Sequence, residues 1–113
     1  MNLFQLPNTL NKEELFETLL KNQNITVERI ISTGQTSPAG FYYDQPQDEW
    51  VLVLQGEAIL SFEHNKNIKL IAGDFFLLSA HQKHRVDYTS SEPPCIWLAI
   101  HGNLTKKMDC HRK

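Results

Sequence analysis

From Ile25 onward the chain is written in short runs of β-branched and aromatic residues that recur about every ten residues and stop at Gly, Pro or Asn. Ile25 to Thr33 ends at Gly34. Pro38 and Gly40 punctuate a loop before Phe41, Tyr42 and Tyr43. Glu49 to Leu54 stops short of Gly56, and Glu57 to Glu63 alternates, with Ala58, Leu60 and Phe62 on one face. After the polar connection His64 to Asn67 the pattern returns over Ile68 to Ala72. Gly73-Asp74 turns into Phe75 to Leu78, and His84 to Thr89 and Ile96 to His101 follow. Strands this short, joined by turns this frequent, describe an all-β sandwich or barrel. Trp50 to Leu54 is apolar at every position, so both of its faces need cover. A closed barrel with an apolar interior, or a barrel face covered by a second copy, supplies that.

One short helix is expected ahead of the strands. Asn11 is a capping residue type, with Glu14 three positions later. Leu15 with Leu19, and Phe16 with Leu20, are spaced to share one helical face. Glu13, Glu14 and Glu17 fall early and Lys21 late, as the helix dipole favours, and Asn22 to Asn24 break the segment.

At 113 residues the chain is read as one domain: an N-terminal helical segment 1–24, a β-barrel 25–102 and a polar tail 103–113. A net charge of −2, with Lys106, Lys107, Arg112 and Lys113 diluted by Asp109, argues against a nucleic-acid partner. No run approaches the ~20 apolar residues of a membrane helix, and Met1 to Leu10 has neither the basic nor the apolar part of a signal peptide. No membrane partner is expected, and the expected location is cytoplasmic. Cys95 and Cys110 are too few for a disulfide framework and suit a reducing compartment. Gly-rich phosphate loops, nucleophile elbows and His-Glu-x-x-His helices are missing.

Two segments narrow the fold. The first runs from Gly40 through Tyr43, Asp44 and Gln45 to Glu49 and on to Gly56. The second runs from Gly73-Asp74 to His84. Together they resemble the two motifs of the cupin superfamily, at that family's separation. Glu49 and Gly56 match the end of the first motif; Gly73, Asp74 and His84 match the second. The likeness covers Gly40 to His101 and is nearest to small single-domain bacterial cupins. It implies a jelly-roll barrel (double-stranded β-helix), commonly dimeric, with a divalent metal held by three histidines and a glutamate. The departures are specific. Tyr43 and Gln45, or Tyr42 and Asp44, stand where the first motif has histidines. In the second motif Ser79, His81 and Tyr88 replace the proline, glycine and asparagine.

What the resemblance implies for the site is therefore a modified metal set of Glu49, His84, Asp44 and His81, suited to Fe, Mn, Ni or Zn. No organic cofactor is expected. Tyr43 or Tyr88 would donate a proton and Arg85 would hold an anionic group. Each residue has a plainer reading. Glu49 opens an apolar strand and either binds something, pairs with Arg85 or a histidine, or stays at a wet rim. His84 shares its strand face with Val86 and Tyr88 and reads equally as a hydrogen-bonded core residue. His81 reads as a second imidazole ligand or an exposed turn. Asp44 reads as an ordinary loop Asp. His101 ends the last strand on the face of Trp97 and Ala99. Two functions stay open: a metal-dependent oxygenase, isomerase or lyase acting on a small-molecule substrate, or a metal-free barrel that binds a small ligand or serves self-association. A homodimer is expected in either case.

Overall fold

A computed structural model describes residues 1–10 and 12–105. Asn11, Cys110, His111 and the basic tail lie outside the described residues. Eight strands follow one another: β1 Leu15–Lys21, β2 Ile25–Ser32, β3 Asp48–Gln55, β4 Glu57–Phe62, β5 Lys66–Ile71, β6 Phe75–Leu78, β7 His84–Thr89 and β8 Cys95–Gly102. They form a five-stranded sheet in the order β1-β2-β8-β3-β6 and a three-stranded sheet in the order β5-β4-β7, antiparallel throughout. The chain crosses from one sheet to the other between β3 and β4 and at every step from β5 to β8, which is the jelly-roll arrangement. No helix among the described residues is long and apolar enough to cross a membrane.

Alternation sets the core. On β3 the inward residues Val51 and Val53 are buried, while Trp50, Leu52 and Leu54 between them are only half-covered on the outer face. Ala58 and Leu60 of β4, Leu70 of β5, and Trp97 and Ala99 of β8 complete the packing between the sheets. A side chain as enclosed as Leu60, 1% exposed, contributes about 2 kcal/mol by leaving water. The Trp97 indole N–H donates to Ser32 Oγ at 3.1 Å, so the one polar atom this ring buries is satisfied.

The expected N-terminal helix is a strand. Leu15 to Lys21 is β1, paired antiparallel with β2 so that Leu15 faces Ile31 and Phe16 faces Ile30. A seven-residue helix has little stability of its own, whereas β2 would otherwise leave a row of backbone groups unpaired. The pairing wins. An irregularity between Thr18 and Leu20 sets Leu19 out of register, and this extra residue is what made the leucine spacing look helical. Glu14 makes no capping box; its carboxylate accepts from Ser32 Oγ at 2.5 Å. On the outer face Arg29, 3% exposed, binds the Glu17 carboxylate of β1 at 2.5 Å and donates to the carbonyls of Leu3 and Gln5. One guanidinium thus ties the start of the chain and the edge strand to β2.

Candidate functional site

Between the sheets, toward the end where β3 begins and β8 finishes, lies an open cavity of about 120 Å³. Its apolar wall includes Ile30, Val51, Leu60, Leu78, Val86 and Trp97, with Phe16 of β1 at the mouth. Its polar groups are Glu14, Glu28, Tyr43, Gln45, Glu49, His84 and His101. Each comes from strand alternation or from a loop pinned to a strand. Glu28 shares a face with Ile30, and Glu49 with Val51. Glu49 and His101 are direct cross-strand partners on β3 and β8. Tyr43 is fixed by a two-way backbone bridge to His84, 2.7 and 3.2 Å, and its ring stacks on the imidazole at 5.3 Å.

Electrostatics divide these groups. Burial pushes the Glu49 carboxyl above the usual carboxylate range, with His101 opposing and Glu28 adding to the shift. Burial also raises Glu14, which the Ser32 hydroxyl partly offsets. Tyr43 is raised by burial and then by the charges of Glu14 and Glu49. His84 is lowered by burial, against the pull of its bond to the Gln82 carbonyl. That bond, Nδ1 to oxygen at 3.1 Å, fixes the tautomer: a carbonyl only accepts, so Nδ1 carries the proton and Nε2 is an acceptor.

Glu49 is the group left over. Its side chain is 10% exposed, and His101 Nε2 stands 3.8 Å from Oε2, beyond hydrogen-bond distance, because that imidazole bonds Glu28 Oε1 at 2.9 Å. The Glu49 carboxylate makes no hydrogen bond within the described residues. Since none of their fully sealed polar side-chain atoms lacks a partner, its oxygens open onto the cavity.

Of the residues singled out from the sequence, Tyr43, Glu49 and His84 meet in this cavity, joined by His101. Asp44 and His81 do not. Tyr43 points inward, so its neighbour Asp44 points out, where it bonds His81 Nδ1 at 2.8 Å on the exposed loops. His81 sits in a left-handed turn, φ 63°. Tyr88 leaves the cavity because β7 carries an extra residue at Asp87: Leu60 pairs with Val86 but Ile59 pairs with Tyr88. The bulge turns Tyr88 outward, 43% exposed, instead of onto the face of His84 and Val86. Arg85 lies on the outside too, bonded to Asp87 and to the carbonyls of Ser37 and Pro38. Glu28 and Glu14 escaped the sequence reading. Glu28 had the same signal as Glu49, a single acid within a β-branched run; Glu14 was hidden by the helix expectation.

Residues 28–101 match the cupin domain family. The chain is a cupin. Solved structures place it among others of that fold. A "putative mannose-6-phosphate isomerase" from Ralstonia eutropha is 41% identical over 91% of this chain and 96% of that one, with a TM-score of 0.85. A cupin superfamily protein from Desulfitobacterium hafniense is 20% identical over 85% and 83%, TM-score 0.71. An RmlC-like cupin from Desulfovibrio desulfuricans is 15% identical over 91% and 97%, TM-score 0.67. No curated protein sequence matches the chain. The metal cage that cupins often carry does not fit this cupin's donors. Tyr43 and Gln45 line the cavity in place of histidines, Asp44 and His81 bind each other outside it, and no three His, Cys, Asp or Glu side chains among the described residues converge as a metal set. What the cavity offers chemically is hydrogen bonding and proton exchange by Glu49, His84 and Tyr43.

Proposed function

We propose that this cupin binds a small polar molecule directly through its own side chains, with Glu49 as the anchor. The observation that carries this is the Glu49 carboxylate, nine-tenths enclosed, open to the cavity and without a hydrogen-bond donor among the described residues. A buried polar group in that state costs about 1–3 kcal/mol, which a ligand donor would recover. The cavity volume supports a small occupant, since an enclosed site of roughly 150 Å³ holds benzene. The name given to the Ralstonia protein suggests a sugar phosphate. The charge of the cavity speaks against one: Glu14, Glu28 and Glu49 line it and, among the described residues, no Lys or Arg does.

Native mass spectrometry of freshly purified protein tests the reading, with a thermal-shift screen of small metabolites in parallel. A bound mass below about ten heavy atoms, or a hit abolished by Glu49→Gln, supports it. A protein that retains nothing, and that no small polar compound stabilises, sinks it. A second reading rests on the opposed shifts of Glu49 and His84, which bring both toward neutrality as an acid–base pair requires. It expects solvent deuterium to enter the bound ligand at carbon; a ligand that never exchanges is only bound.

A further inference from the structure

We infer that the cavity selects small organic cations, primary or secondary ammonium compounds of about five or six heavy atoms, over neutral or anionic molecules of the same shape. The inference rests on the binding reading above and adds the charge of the ligand to it.

The polar rim holds more acceptors than donors: three carboxylates and the His84 imidazole stand against the Tyr43 hydroxyl, the Gln45 amide and His101. Glu49 presents both carboxylate oxygens to the open space. His84 contributes Nε2 as an acceptor, because its Nδ1 proton is committed to the Gln82 carbonyl. Glu28 spends one oxygen on His101, and Glu14 spends one on Ser32. The Trp97 indole N–H, a donor at the cavity wall, is already given to Ser32. Three carboxylates therefore face the cavity with no Lys or Arg among the described residues lining it, and one imidazole, His101, stands between two of them. An ammonium group brings donors together with a positive charge, which no Lys or Arg among the described lining residues supplies. Neutral alcohols supply donors without the charge, and carboxylic acids meet repulsion from all three glutamates. The remaining walls, Ile30, Val51, Leu60 and Val86 with the faces of Tyr43 and Trp97, suit a short hydrocarbon body, and aromatic faces also attract cations. A volume near 120 Å³ sets the size.

The probes are cyclopentylamine, its isostere cyclopentanol, and cyclobutanecarboxylate, measured on the full chain by calorimetry and thermal shift at pH 7.5. The expected result is at least tenfold tighter binding of the amine than of the alcohol, no binding of the acid, and a loss of at least tenfold for the amine in Glu49→Gln. The wild-type amine-to-alcohol ratio needs no variant, so a misfolded E49Q leaves the test intact. Equal binding of amine and alcohol, both lost in E49Q, overturns the charge inference while the Glu49 binding site stands. Tighter binding of the acid overturns it as well. If none of the three binds and Mn(II) or Fe(II) alone stabilises the wild type but not E49Q, the site is a metal site and both readings fall. If nothing binds at all, both fall together.

Discussion

Glu49→Gln should make the ligand-free protein more stable, and by an amount that depends on pH. The glutamine keeps the shape of the side chain and removes the charge that burial disfavours. Because the folded protein holds Glu49 above its ordinary value of 4.5, its favourable contribution is complete below that value and is lost as the pH rises through the folded pKa. Wild type and variant should therefore melt together near pH 4 and separate above it. Once ionised, the wild-type carboxylate is 10% exposed and has no hydrogen bond among the described residues, with Glu28 beside it and only a 3.8 Å approach of His101 in compensation. Removing that charge is worth about 1–2 kcal/mol, the lower part of the usual range because His101 returns some of the cost. For a domain of this length the melting midpoint rises by about 4–8 °C. Scanning calorimetry from pH 4 to pH 8 on dialysed protein reads the difference directly. Asp48 does not confuse it. Four hydrogen bonds, the shortest from the Thr105 hydroxyl at 2.7 Å, hold that carboxyl at about 2, below the scanned window and equally in both proteins. A variant less stable than wild type at pH 7.5, or an offset that does not change with pH, would refute the account of Glu49 as a desolvated and unpartnered acid.

Gly56→Ala should destabilise by about 2–4 kcal/mol in urea denaturation, since the residue has φ +82° and an added Cβ would stand 2.4 Å from Ser90 Oγ and 2.9 Å from the Cys95 backbone; a loss under about 1 kcal/mol would show that the β3–β4 turn relaxes freely. We propose the outer face of the five-stranded sheet as the seat of the expected homodimer, since Trp50 and Phe75 lie 5.5 Å apart there and Phe75 is 63% exposed. Phe75→Lys should then convert a dimer to monomer in sedimentation velocity; a wild type already monomeric at micromolar concentration removes the premise.

Most strands were legible because alternation and turn chemistry agreed. Glu57 to Phe62 alternates cleanly and sits between Gly56 and a polar connection, and β4 occupies those positions. The errors fall where one added residue changed a strand's phase. Leu19 on β1 and Asp87 on β7 are both unpaired extras, and a pattern read residue by residue contains no sign of them. The first turned a strand into an apparent helix and hid Glu14; the second put Tyr88 on the wrong face. Tyr43, Glu49 and His84 were legible through motif position. The pairing of Asp44 with His81 was not, because two loops far apart in sequence meet only in the folded chain.

Arg29 touches no cavity atom, yet it bonds the edge strand that carries Phe16 to the cavity mouth. The cavity is closed on that side by a strand held along one edge only. Two cupins with identical lining residues would thus differ in ligand exchange if one kept this arginine and the other did not. Inheritance of function within such a group has to be traced through the outer face of the sheet as well as through the inner one.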